Sequence, residues 1–205
     1  MTTLVPSPLE RLPALLQRSA ALHRHLCPRQ VLGARIGLKA GEWLGLEFPR
    51  TDKRVLVFVE TDGCFADGVS VASGCWLGRR TLRLVDHGKV AATFVDTGTG
   101  RAVRIAPRTD LRARVREGRP DGQKRWDAYM AAYQTWPDEE LLTVQPVDLT
   151  LDLAALISVA GKRTTCDRCG EEIINGREVT SPGGTLSPGG TLCRDCAGDR
   201  YWQPS

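Results

Sequence analysis

The chain has 205 residues and a mass of 22.4 kDa, enough for one well-buried domain with an appendage and too little for two full-sized enzyme domains. Its 41% hydrophobic and 25% charged residues suit a globular protein and exclude a collagen-like, mucin-like or wholly disordered chain. No stretch nears the roughly 18 apolar residues of a membrane span and no basic-then-apolar leader opens the chain, so a soluble, cytoplasmic protein without membrane contact is expected.

The apolar positions Leu9, Leu12, Leu15, Leu16 and Leu22, then Val31, Leu32, Ile36, Leu38 and Leu44, recur near helical spacing. The Cys27-Pro28 step between the two sets predicts a pair of helices, because proline suits a first helical turn. Residues 54–61 (RVLVFVET) form a β-branched apolar run expected as a buried strand, and Asp62-Gly63-Cys64 as a turn. Residues 66–77 predict a short helix ending at Gly74. TLRLVDH, VAATFVDT and RAVRIA follow, separated by glycine-bearing turns, and read as a small antiparallel meander. The arginine-rich stretch and DAYMAAYQTW predict helix interrupted at Gly118 to Gly122; Pro137-Asp138-Glu139-Glu140 suits another helical start. LLTVQPVDLTLDL reads as a closing strand. Without a repeating strand–helix rhythm, the expectation is α+β: a small mixed or antiparallel sheet packed with helices over residues 1–160, and a separate C-terminal domain over 161–205.

The net charge of +4 conceals one basic block. Between Arg101 and Arg125 stand nine basic residues against three acidic ones. Such a block is either a solvated helix face or an attractor for an anionic ligand, nucleic acid or acidic partner.

The seven cysteines fall into two groups. Cys166-x-x-Cys169 and Cys193-x-x-Cys196 have the spacing of two metal-binding knuckles, and the odd total argues against a secreted disulfide framework. The tail around them holds too few apolar residues to fold unaided, so a structural zinc bound by Cys166, Cys169, Cys193 and Cys196 is expected, in a zinc ribbon or treble-clef-like domain. A redox pair of the thioredoxin kind would need a strand–helix domain that the tail lacks. The tandem SPGGTL at 181–186 and 187–192 lengthens the gap between the knuckles, and is expected at a hairpin tip.

The second group is His23-Arg24-His25-Leu26-Cys27-Pro28 with Cys64 and, near it, Asp62, Asp67 and Cys75. In an extended segment, His23, His25 and Cys27 would point to one side and offer three metal ligands. The same residues also read as inert core thiols and a helix-capping histidine.

Here the motifs, taken in order, resemble a family. His23 to Pro28 with Val31-Leu32-Gly33, then Glu60-Thr61-Asp62-Gly63-Cys64-Phe65-Ala66-Asp67, Gly74-Cys75-Trp76-Leu77-Gly78, Asp86-His87-Gly88-Lys89 and Ala92-Thr93-Phe94 are similar to the FmdE family. That family is named for one component, FmdE, of molybdenum or tungsten formylmethanofuran dehydrogenase. The resemblance implies an α+β core, intertwined homodimers, a C-terminal four-cysteine domain and a core pocket. In that pocket His25, Cys27 and Cys64, with His23 beside them, would hold a second metal ion. The chain departs from the family at Arg24 and Arg29, where glycine is usual, at Trp76, at Arg79 and Arg80, and at His87. These bulky basic residues point to a small anionic ligand held by Arg24, Arg29, Arg79 or Arg80.

Three functions follow as expectations. The first is a zinc-binding, FmdE-like accessory protein or component of one-carbon metabolism, with a molybdenum or tungsten oxidoreductase as partner. The second is a small zinc-dependent enzyme using the Cys/His pocket. The third is a zinc-ribbon regulator binding protein or nucleic acid; the near-neutral ribbon and few aromatics weigh against nucleic acid.

Overall fold

The computed structural model describes residues 8–156, 161–180 and 189–203. The chain divides into two compact units, Met1–Thr150 and Leu151–Ser205. Residues 181–188 of the SPGGTL duplication lie outside the described residues.

Helix α1 (Pro8–His23) and helix α2 (Pro28–Leu44) break at Cys27-Pro28, as the proline predicts. Cys27 is the N-cap of α2 and Pro28 opens its first turn. Unlike an amphipathic surface helix, α2 is buried on nearly every side, because strands, α1 and the next helix all pack around it. Strand β1 (Val55–Val59) is buried at all five residues, as its unbroken apolar run requires. Helix α3 (Cys64–Ser73) starts directly at Cys64 and stops at Gly74, whose φ of 79° supplies a left-handed cap. Then come β2 (Leu82–Leu84), β3 (Ala92–Asp96) and β4 (Ala102–Pro107). Helices α4 (Leu111–Glu117), α5 (Arg125–Thr135) and α6 (Asp138–Leu141) follow, with the α4–α5 break at the expected glycines. Strand β5 (Leu142–Val147) ends the first unit's sheet. The expected closing strand stops there, and a short helix, α7 (Leu153–Leu156), begins only at the last residue of that run.

The sheet order is β2-β1-β3-β4-β5, which corrects the three-strand meander. Strands β3 and β4 do pair antiparallel, Phe94 opposite Val103. Strand β2 instead lies parallel to β1, Phe58 opposite Arg83, on the far side from β3. The cause is α3: it carries the chain across and returns it to run beside β1 in the same direction, as a parallel pair requires. The result is a mixed five-stranded sheet, with helices covering a core built on Val31, Ile36, Val57, Phe65, Phe94 and Ile105.

The second unit contains two small hairpins, β6 (Arg163–Thr165) with β7 (Glu172–Ile174), and β8 (Val179–Thr180) with β9 (Thr191–Leu192). Turns follow Cys196, and no helix does among the described residues. Its buried apolar cluster is Cys166, Ile173, Leu192 and Cys196. Among the described residues of the whole chain, no helix is long and apolar enough to cross a membrane.

Candidate functional site

In the second unit, both Cys-x-x-Cys turns aim their sulfurs at one point. The four ligand atoms of Cys166, Cys169, Cys193 and Cys196 lie within 4.8 Å of one another, and Cys169 Sγ is 3.9 Å from Cys193 Sγ. A tetrahedral site with metal–sulfur bonds near 2.3 Å places its sulfurs about 3.8 Å apart, so the donor set fits a metal ion. Backbone amides orient it: Cys193 N donates to Cys166 Sγ and Cys196 N to Cys193 Sγ, each at 3.3 Å. Asp167 couples the knuckles, its N–H donating to the Thr191 carbonyl at 2.8 Å and its carboxylate accepting from Thr191 N at 2.6 Å. Backbone N–H bonds lower the Cys166 thiol to about 6. Burial and the neighbouring thiols push Cys196 up to about 12. Four thiols this close do not all ionise by themselves, and a divalent cation supplies the charge that lets them.

In the first unit, the His23-to-Cys27 segment is not extended, which corrects the expected alternation. His23 closes α1, and Arg24 takes a left-handed turn with φ of 60°. The two rings therefore meet edge to face, 5.7 Å apart, and engage different partners. His23 Nε2 pairs with the Asp67 carboxylate on α3. His25 Nδ1 donates to the His23 carbonyl at 3.0 Å, which fixes the Nδ1–H tautomer and leaves Nε2 as the nitrogen open to a ligand.

Cys27 is held from both ends of its helix cap. Its N–H donates to Gln30 Oε1 at 2.7 Å, and Gln30 Nε2 donates to Ser19 O and Ser19 Oγ on α1, both at 3.0 Å. Gln30 is fully buried; its signal in the sequence was a glutamine three residues after an N-cap. Cys64 opens α3, with its thiol beside that of Cys27. Burial, then that contact, raises the Cys64 thiol above its ordinary value. Asp62 is exposed in the preceding turn. Cys75 lies beyond the other end of α3, about 15 Å of helix away, with its sulfur against the Val55 carbonyl. It is a core residue.

Among the described residues the ribbon cysteines are the group of three or more such donors within 4.8 Å of one another. The core set is looser: Cys27 and Cys64 touch, while His25 joins them on the wall of one cavity of about 810 Å³. That cavity's inner wall includes Leu32, Leu111 and Tyr133; its outer wall carries Arg29, Arg108, Arg112, Arg125 and Trp126. Of the arginines picked from the sequence, Arg29 lines it and Arg24, Arg79 and Arg80 do not. The rest come from the basic block, and the structure explains the division. Arg101 stacks on Trp43 at 4.7 Å, Arg104 makes a two-pronged pair with Glu60 at 2.6 and 2.8 Å, and Arg114 bonds Glu140. Arg108, Arg112 and Arg125 remain for the cavity. No feature of the sequence separates them from their neighbours, because the division depends on which way each points.

The family model described as "FmdE, Molybdenum formylmethanofuran dehydrogenase operon" matches residues 22–143, more than half of the chain. The chain belongs to the FmdE family. This FmdE chain is also similar to a "Probable S-adenosyl-L-methionine-binding protein" of Archaeoglobus fulgidus, 29% identical over an alignment 221 positions long, gaps included, that covers 95% of the chain and 56% of the relative. It thus spans little more than half the length of that curated relative. Among solved structures it is similar to a tungsten formylmethanofuran dehydrogenase FmdE-like protein from Syntrophus aciditrophicus. There the TM-score is 0.57 at 20% identity, over 94% of this chain and 95% of the other, a likeness of fold.

Proposed function

We propose that this FmdE protein is a metal-binding accessory component of a molybdenum or tungsten formylmethanofuran dehydrogenase, or of a related one-carbon enzyme, with two metal sites of different kind. The ribbon holds zinc on four thiolates, a closed structural site. The core cavity holds a second ion on Cys27, Cys64 and His25, with a coordination position open to the cavity. His23, engaged by Asp67, braces the segment that carries His25. The observation that carries this reading is the convergence of Cys27, Cys64 and His25 on one solvent-open cavity. A bound ion there would supply Lewis-acid polarisation of a ligand.

Metal content per chain, measured by mass spectrometry on the full protein, tests it. About two ions per chain are expected, one lost in Cys27→Ser and Cys64→Ser, the other in Cys169→Ser. A single ion that only the ribbon substitution removes would overturn the core site.

A second reading comes from the Archaeoglobus relative's name. Trp126 and Tyr129 on the cavity wall suit an adenine ring, and the arginines suit a carboxylate, so S-adenosyl-L-methionine is a candidate ligand. Calorimetric titration with that compound tests it.

A further inference from the structure

We propose that the outer half of the core cavity is a binding site for a small organic phosphate that carries a planar ring. The inference uses the arginines and aromatic rings; it does not depend on a metal at the thiol pair.

Charge gives the first half of the argument. Arg29, Arg108, Arg112 and Arg125 line the cavity, and no aspartate or glutamate does among the described residues. Among the described residues, the one carboxylate that pairs with this set is Asp110, 3.2 Å from Arg108. Arg29 and Arg125 make no ion pair among the described residues, whereas Arg101, Arg104 and Arg114 of the same basic block all have partners. Four guanidiniums gathered on one wall repel one another, and a dianion relieves that repulsion better than a single carboxylate. Guanidinium forks match phosphate oxygens two at a time.

The rings give the second half. Trp126 is 50% exposed on the cavity wall, an apolar surface left to water next to the arginines. Tyr129 and Tyr133 stack at 5.6 Å one helical turn apart on α5. Arg112 lies over the Tyr129 ring at 5.7 Å, so this guanidinium is already held in place. A planar ring against Trp126 with its phosphate among Arg29, Arg112 and Arg125 would use both features, and about 810 Å³ accommodates a ligand of nucleotide size.

Isothermal titration of the full protein with adenosine 5′-monophosphate, adenosine, inorganic phosphate and S-adenosyl-L-methionine tests the site. The monophosphate is expected to bind at least about tenfold tighter than each of the other three. Arg29→Ala with Arg125→Ala should weaken the monophosphate about tenfold or more and leave adenosine unchanged. Trp126→Ala should weaken both. All three substitutions are at exposed positions and should leave metal content per chain as it was, which keeps this outcome separate from the metal reading. The proposal is overturned if the monophosphate binds no better than adenosine, if phosphate alone binds as well, or if S-adenosyl-L-methionine, with its net positive charge, binds tightest.

Discussion

Gly33 on α2 and Gly68 on α3 meet face to face across the contact between the two helices. A Cβ on Gly33 would stand 3.0 Å from the Gly68 Cα and 2.3 Å from the Phe65 carbonyl oxygen; a Cβ on Gly68 would stand 2.2 Å from the Gln30 carbonyl oxygen. Further along, Gly37 meets Ala72, so the helices run in the same sense and start at the same end. That is why Cys27, capping α2, and Cys64, opening α3, touch. The small residues bring the backbones together, and the backbones bring the thiols together.

The first prediction concerns this contact. In an exposed helix, glycine to alanine adds about 0.5–1 kcal/mol of stability through backbone entropy. Here the added methyl meets backbone atoms that have no rotamer by which to yield. Gly33→Ala and Gly68→Ala should each destabilise the protein by about 1–3 kcal/mol, read as a lower midpoint in urea. A stability gain in either would mean that the helices are not in backbone contact.

How much of this was legible in the sequence depends on whether a signal is local. The Cys-x-x-Cys knuckles were readable because two ligands within one turn are fixed by spacing alone. The break at Cys27-Pro28 and the stop at Gly74 were readable because proline and a left-handed glycine act on their own backbone. The place of β2 was not, since Leu82–Leu84 has the same pattern beside β1 as beside β3, and only the path of α3 decides. The His23-His25-Cys27 alternation failed because Arg24 turns left-handed. Arg29, Arg79 and Arg80 looked alike as bulky departures from a family pattern, and only the three-dimensional arrangement separates Arg29, at the cavity, from the other two.

The second prediction concerns Arg35, buried in α2. Its guanidinium donates to the carbonyls of Tyr133 at 3.0 Å and Trp136 at 2.8 Å, and to Asp138 Oδ1 at 2.6 and 3.1 Å. It therefore satisfies the end of α5 and the start of α6 together, and fixes the helix that carries Trp126, Tyr129 and Tyr133. Arg35→Met leaves those acceptors unpaired and should cost about 2–4 kcal/mol. Arg35→Lys keeps the charge but loses the fork, and should fall between the two in chemical denaturation.

A pH-dependent prediction follows from Asp96 at the end of β3. Arg54, then the Gly98 N–H at 2.9 Å and the Thr99 hydroxyl at 2.9 Å, hold its carboxyl well below the ordinary value of 3.8. A carboxyl lowered on folding contributes stability above its unfolded value, and that contribution is lost as the pH falls. Asp96→Asn should therefore cost about 1–2 kcal/mol near neutral pH. The gap between variant and wild type should start to close below about pH 4. A gap that stays constant down to pH 3 would exclude the carboxylate as its source.

The last prediction concerns metal removal from the ribbon. Its buried apolar cluster consists of Cys166, Ile173, Leu192 and Cys196, so half of that cluster is cysteine, and few apolar groups remain to hold the hairpins without the ion. The first unit, by contrast, buries aliphatic and aromatic side chains from helices and sheet alike. A chelator strong enough to strip the four-thiolate site should remove hydrogen-exchange protection from the Cys166 and Asp167 amides, which bond Glu171 and Thr191. It should also open all four ribbon cysteines to alkylation. The Val57 and Glu60 amides, bonded to Thr81 and Ala91, should keep their protection, because apolar burial holds them. If the ribbon amides stay protected after the metal has gone, its fold rests on the hairpins and on the Asp167–Thr191 bonds, and the ion is there for some purpose other than folding.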